Sequence, residues 1–216
     1  MRKYYCVIIL IMLFPVTVCA KSKTHDMAIE PKWGWYFPDH RTWWQEGSAQ
    51  RRYSFFGGLE AKYEFLNSTE VSLGVNYLRE SWERTNEDDP NAITTLYNYI
   101  YMLPVDISLN YKLRYADKQF LVPYGGIGFD YIYCKERQEP TVRFHRYGYH
   151  LTLGGQLMLN YFIPDEESDL DLDEKFGINA AYLFFEGRYT NVDNFGNLDG
   201  HDISGYFYSM GILLEF

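Results

Sequence analysis

The chain is short of the features that staple or thread most extracytoplasmic folds. It has only three cysteines in 216 residues, and two of these, Cys6 and Cys19, lie within the first 20, so a disulfide scaffold is excluded. After residue 20 there is no apolar run of about 18 residues, which excludes a transmembrane helix from the rest. Basic residues are in deficit: 20 Lys and Arg stand against 29 Asp and Glu, for a net charge of −9, which argues against an electrostatic nucleic-acid surface. Helical periodicity is also missing, since apolar residues almost nowhere recur every 3.6 positions.

Aromatic residues are abundant, with 21 Tyr, 15 Phe and 5 Trp. The segment 1–20 carries Arg2 and Lys3, then an apolar stretch, then Val18-Cys19-Ala20, the layout of a cleaved export leader. Its apolar core is short for an anchor helix, and Val18 stands where a lipid-attachment box has a small residue. The expectation is a signal peptide over 1–20 and a single domain over 21–216.

That domain alternates with period two. In 103–113, Leu103, Val105, Ile107, Leu109, Tyr111 and Leu113 face one way, while Pro104, Asp106, Ser108, Asn110 and Lys112 face the other. Eight such segments occur, near 27–37, 55–65, 71–79, 103–113, 121–131, 151–161, 177–189 and 206–216. Each has about the 9–11 residues that a tilted strand needs to cross a bilayer. Short links, such as Asn67-Ser68-Thr69, alternate with polar links near 38–52, 83–91, 136–143 and 191–202, as in a barrel with turns on one side of a membrane and loops on the other. The acidic stretch 164–175 is too long for this scheme, and nothing in the sequence accounts for its length. The fold expected is an all-β, eight-stranded antiparallel up-and-down transmembrane barrel.

Alternation alone does not say which face is outside, because a soluble barrel buries its apolar side. Aromatics on the apolar face gather at segment ends: Trp33, Trp35, Tyr77, Tyr101, Tyr131, Tyr149 and Tyr189 toward the long loops, and Tyr63, Phe65, Tyr111, Tyr161 and Phe216 toward the turns. They are placed as interfacial girdles are. The other face carries Gly, Ser, Asn and mixed charges, which suits a narrow lumen.

The last strand, Tyr208, Met210, Ile212 and Leu214 closing on Phe216, resembles the assembly signal of Gram-negative outer-membrane barrels. Pro123-Tyr124-Gly125-Gly126-Ile127-Gly128-Phe129 resembles a strand common in small barrels of the OmpA-like and OmpW-like superfamily, and Phe184-Phe185-Glu186-Gly187-Arg188-Tyr189 resembles their penultimate strand. The resemblance implies a porin-like cell-envelope barrel in the cell outer membrane with both termini periplasmic. It also implies outer-membrane lipid, lipopolysaccharide and the barrel assembly machinery as partners, a monomer, and no cofactor.

With the charged face inward, Glu30, Lys32, Glu60, Lys62, Asp106, Lys112, Asp130, His150, Glu186, Arg188 and Glu215 share the lumen. A barrel of eight strands has room for little more than its own side chains, so the expectation is a plug of paired charges and a structural or surface-interaction role. An alternative places Asp130, His150, Glu186 and Arg188 around a mouth near the loops that binds a small polar ligand or titrates near neutral pH through His150, and a small-solute channel is a further reading. A hydrophobic-compound carrier would instead need an apolar upper lumen. A third reading, a lipid A modifying enzyme, rests on His150 and Thr152 lying on one face, and both point inward. Catalytic and metal-binding residues are therefore expected to be absent. The acidic residues of 165–174 lack the glycine of an EF-hand loop, and Glu87-Asp88-Asp89 reads as a solvated run. Trp43 and Trp44 with Arg41, Arg51 and Arg52 form an aromatic and basic patch that fits either lipopolysaccharide or the barrel mouth. Cys134 reads as a buried or strand-end thiol. Pro104 should cost one ladder hydrogen bond without shifting register. If Phe216 is part of the assembly signal, Phe216→Ala lowers the yield of heat-modifiable, membrane-inserted barrel in cells, measured by gel mobility of outer-membrane fractions, while Phe195→Ala leaves that yield unchanged.

Overall fold

The computed structural model describes residues 27–39, 53–66, 68–84, 96–115, 119–137, 141–159, 177–196 and 202–216. The proposed leader, the Trp43-Trp44 patch, Glu87-Asp88-Asp89, Tyr161 and the acidic stretch lie outside them. Eight strands follow in order: β1 (Met27–Pro38), β2 (Ser54–Leu66), β3 (Thr69–Arg84), β4 (Leu96–Lys112), β5 (Leu121–Arg137), β6 (Val142–Met158), β7 (Ala180–Asn191) and β8 (Gly205–Glu215). Each pairs antiparallel with the next, and β1 pairs with β8, so the sheet closes into a barrel. Closure leaves no strand edge within the wall, so every backbone donor and acceptor there can find a partner without water.

The alternation settles which way the sheet is turned. Leu153 is 75% exposed and Ile127 60%, whereas Glu30 and Asp106 are 0% and 1% exposed. The outer wall is a belt of large apolar side chains, among them Leu73, Ile107, Leu109, Phe129, Leu151, Phe185 and Ile212. Aromatic residues rim it: Tyr63 and Tyr111 at the turn end, Trp33, Trp35, Tyr77 and Tyr149 toward the loops. A surface of this kind is unfavourable in water and favourable in hydrocarbon.

Pro104 behaves as expected. Pairing with β3 runs through Val75↔Val105, lapses beside the proline and resumes at Leu78↔Met102 in the same register. On the β5 side Leu103↔Tyr133, Pro104↔Ile132 and Val105↔Tyr131 are continuous.

Several strand ends differ from the sequence reading. The seventh segment starts at Ala180, because Gly177 has a φ of +64° and turns the chain before the strand. Strands β3 to β6 have 16, 17, 17 and 17 residues, beyond the 9–11 that cross a bilayer, so the link placed at 83–91 begins inside β3 and the link at 136–143 begins inside β5 and ends inside β6. Their extra residues stay paired, through Arg84↔Leu96, Tyr99↔Arg137 and Glu136↔Val142. β2 pairs with β3 only as far as Phe56↔Leu78, and β7 with β6 only as far as Tyr149↔Asn191. Four strands therefore rise together past the rest of the wall. The β6 edge of this extension is fastened by the turn after β7, where the Asn194 backbone N–H donates to the Tyr147 carbonyl at 3.1 Å and the Tyr147 N–H donates to the Asn194 side chain at 2.9 Å.

If the apolar wall faces lipid, Ile127→Arg at mid-belt destabilises the barrel by about 2–4 kcal/mol, and Leu113→Arg near the turns by less than about 1 kcal/mol, in reversible denaturant unfolding in lipid vesicles.

Candidate functional site

The lumen is layered. At the loop end Tyr36, Phe56, Leu78, Ile100, Met102, Ile132, Cys134, Val192, Ile203 and Phe207 pack into a buried apolar cap. Tyr36 stacks on Phe207 with ring centres 4.6 Å apart, and its hydroxyl donates to the Ile203 carbonyl at 2.9 Å. The expectation of a polar, charged inner face is corrected at this end, where the upper lumen is apolar. On β4 and β5 the cap residues are Ile100, Met102, Ile132 and Cys134, which lie just beyond the segments 103–113 and 121–131. Cys134 belongs to this cap, a buried free thiol as expected.

Beneath the cap lies a continuous set of ion pairs. Arg188 on β7 reaches Asp106 across the barrel at 2.9 Å, Glu186 at 3.3 Å and Glu60 at 3.6 Å. Lys32 pairs closely with Glu60 and approaches Glu186 at 4.0 Å. Lys62 is ion-paired with Glu30 at 2.5 Å, with Glu60 and Glu70 each at 3.6 Å, and its ammonium lies over the rings of Tyr124 and Phe184. Lys112 continues toward the turns through Glu70 at 2.7 Å, Glu64 at 3.3 Å and Glu215 at 3.6 Å, where Arg114 holds Glu64 at 2.7 Å. Beside these, Ala28, Ala180, Tyr182, Phe184 and Leu213 form a second, smaller apolar cluster.

Every residue expected to face the lumen does so, and all are buried. Asp130, His150, Glu186 and Arg188 do not line a mouth, because they sit below the apolar cap at the level of the Asp106↔Asp130 pair. Sequence reading missed Glu70, which lies just before the segment starting at residue 71 and links Lys62 to Lys112. It also missed Ser108 as a partner of His150.

That partnership has the geometry of a nucleophile, a base and an orienting acid. Ser108 Oγ is 2.8 Å from His150 Nε2, His150 Nδ1 is 3.0 Å from Asp130, and Thr190 donates to the other Asp130 oxygen at 3.2 Å. Gly128 makes the contact possible. It lies between Ser108 and His150 in the register, and a Cβ there would fall 2.4 Å from the imidazole, so only a bare backbone lets the ring reach across β5. His150 therefore takes Ser108 and Asp130, not Thr152, as its partners. Geometry alone does not make this a catalytic centre. Ser108 and His150 are 3% and 0% exposed, and the void at the base of the cap holds about 10 Å³, near one water, with a lining that includes Asp130 but neither of them. A substrate carbonyl has no place beside the hydroxyl. Among the described residues no three His, Cys, Asp or Glu side chains converge to hold a metal ion.

No protein-family model and no curated protein matches the sequence. Among solved structures, Neisserial surface protein A superposes with a TM-score of 0.50 at 11% identity, covering 91% of this chain and 100% of that one. The fold is that of a small outer-membrane β-barrel. Ail, the attachment invasion locus protein of Yersinia pestis, also matches. Its complex with the heparin analogue sucrose octasulfate gives 14% identity and a TM-score of 0.43, covering 88% of this chain and 97% of that one. Ail alone gives 12% identity and 0.44 over the same shares.

In this barrel the interior Lys, Arg and carboxylate groups pair with one another. Arg188→Met strands Asp106 and Glu186, and should cost about 3–5 kcal/mol in unfolding free energy, whereas adding Asp106→Asn recovers part of that loss.

Proposed function

We propose that the chain is an integral outer-membrane protein with a structural or surface-interaction role, a lumen closed to solutes and no catalytic activity. The observation that carries this reading is the filled interior. An apolar cap lies over a paired-charge layer, and the void between them is about one water in size. With transport through the lumen blocked, the part left to act is the extension of β3 to β6 above the lipid belt, which offers a rigid paired sheet to the exterior. One neighbour, Neisserial surface protein A, is by its name a surface protein. In this reading the terminal strand with Tyr208, Met210, Ile212, Leu214 and Phe216 serves as the signal for the barrel assembly machinery. Lipopolysaccharide and outer-membrane lipid surround the wall, and the barrel is a monomer.

One observation favours a second reading. A carrier of hydrophobic compounds needs an apolar upper lumen, and the cap supplies apolar side chains there. They fill the space themselves, and a carrier would have to displace Tyr36 and Phe207 to load. The enzyme reading is weaker, because Ser108 is sealed from both lipid and water.

Planar-bilayer recording separates these readings. The closed-lumen reading predicts no single-channel conductance from the reconstituted protein, and steps appearing only when the cap is hollowed by Tyr36→Ala with Phe207→Ala. Wild-type conductance abolished by Arg188→Ala would contradict it. Lipid A extracted from cells with and without the protein should have the same acylation and phosphorylation pattern.

A further inference from the structure

Among the described residues, basic side chains on the outer wall are confined to the β3 to β6 half of the barrel. Above the aromatic rim, β3 carries Arg79, β5 carries Lys135 and Arg137, and β6 carries Arg143 and His145, all on the same exterior face as the apolar belt. Register sets them side by side. Arg79 is opposite Tyr101, Tyr101 opposite Lys135, and Lys135 opposite Arg143, in one row across four strands. The rows on either side pair Tyr99 with Arg137 and Tyr133 with His145. At about 4.8 Å between strands, the row spans about 14 Å.

Among the described residues these cations have no carboxylate partner. Among the described side chains the outer wall of β3 to β6 bears no acid, although the chain as a whole is −9. Glu83 sits further along β3, opposite Tyr97. In the lumen Lys32, Lys62, Lys112 and Arg188 each have a carboxylate within 4.0 Å, whereas Arg79 lies against rings, 4.3 Å from the centre of Tyr99 and 5.6 Å from that of Tyr101. His145 stacks on Tyr131 at 5.6 Å and bonds its hydroxyl. The tyrosines thus hold the basic groups in an ordered array facing outward.

Height identifies what the array meets. On β5 the exterior residues run Leu121, Ile127, Phe129, Tyr131, Tyr133, Lys135 and Arg137, which is hydrocarbon belt, aromatic interface and then charge. β6 repeats the order with Leu153, Leu151, Tyr149, Tyr147, His145 and Arg143. The cations are therefore continuous with the lipid-facing wall and stand at headgroup level.

We infer that the outer wall of β3 to β6 is a binding site for a phosphorylated lipid headgroup of the outer leaflet, with Arg79, Lys135, Arg137 and Arg143 taking the phosphates and the interleaved tyrosines the sugar faces. This rests on the membrane-barrel reading. Guanidinium groups donate in pairs to phosphate oxygens, and partial dehydration at the interface strengthens each bond.

The test uses the full-length protein reconstituted into phosphatidylcholine nanodiscs doped with bisphosphorylated lipid A, or with lipid A stripped of phosphate. Native mass spectrometry counts the lipid A retained. The wild type should retain the phosphorylated form, and Arg79→Gln with Lys135→Gln, Arg137→Gln and Arg143→Gln should lower retention by more than about tenfold. Dephosphorylation should match that loss, and Arg79→Lys should keep most of the binding. Heat-modifiability on gels checks that each variant is folded, and the lysine-for-arginine variant serves if the fourfold change fails to fold. Equal retention by wild type and the fourfold variant, or indifference to the phosphates, overturns the proposal. So does displacement of lipid A by soluble heparin at equal phosphate or sulfate concentration, which would assign the patch to a soluble polyanion. Failure of the wild type to enter nanodiscs at all would instead overturn the membrane reading.

Discussion

Hydrocarbon leaves a backbone amide no partner but another backbone group, and this single constraint organises the molecule. A sheet meets it only by closing on itself, as β1 does on β8 through pairs such as Lys32↔Gly211 and Pro38↔Gly205. Once closed, the pleat divides each strand's residues between lipid and lumen, and period-two alternation becomes the division between Leu151 outside and His150 inside. Eight strands fix the bore, and the bore is so narrow that inward side chains must satisfy one another.

The lumen shows what such a bore demands. Lysine, arginine and carboxylate groups form one chain of contacts from Arg114 near the turns to Arg188 below the cap. Taking these ions from water is costly, and their mutual pairing offsets much of that cost, so the network fixes strand positions more surely than it adds stability. Asp106 touching Arg188 ties β4 to β7 across the bore, and Tyr124 donating to Glu186 at 3.1 Å ties β5 to the same group. The Ser108, His150 and Asp130 arrangement is one more polar link in this bore, with Ser108 and His150 3% and 0% exposed. The exterior is different. There, among the described side chains, the cations above the belt have aromatic neighbours and no acids, an arrangement suited to binding and not to cross-bracing.

The fold was largely legible, because its signal is the alternation itself. Parity placed Glu30, Lys62, Asp106 and Arg188 on the lumen side, and the rim of Trp33, Tyr77, Tyr63 and Tyr111 pointed to lipid outside. Strand ends were not legible. Lys135, Arg137 and Arg143 alternate with Cys134, Glu136 and Phe144, but a charged residue every second position past an aromatic looks the same in a loop as in a strand that continues into water. The apolar cap was missed with them, since Ile100, Met102 and Ile132 count as lumenal only once those strands are extended. The Ser108 to His150 link depends on register across a third strand. Its one local signal was Gly128, a bare position between two polar ones, and that reads as lumenal spacing until the neighbours are known.

The most direct measurement is a scan of single cysteines along β6, replacing in turn each residue from His150 to Leu153 in the protein with Cys134→Ser, labelled with a fluorophore and quenched by brominated acyl chains in vesicles. The account requires strong quenching at 151 and 153, with little labelling or quenching at 150 and 152. Uniform quenching along the strand, or the opposite parity, would mean that the sheet is not a closed wall with lipid on its Leu151 side, and the account would fail.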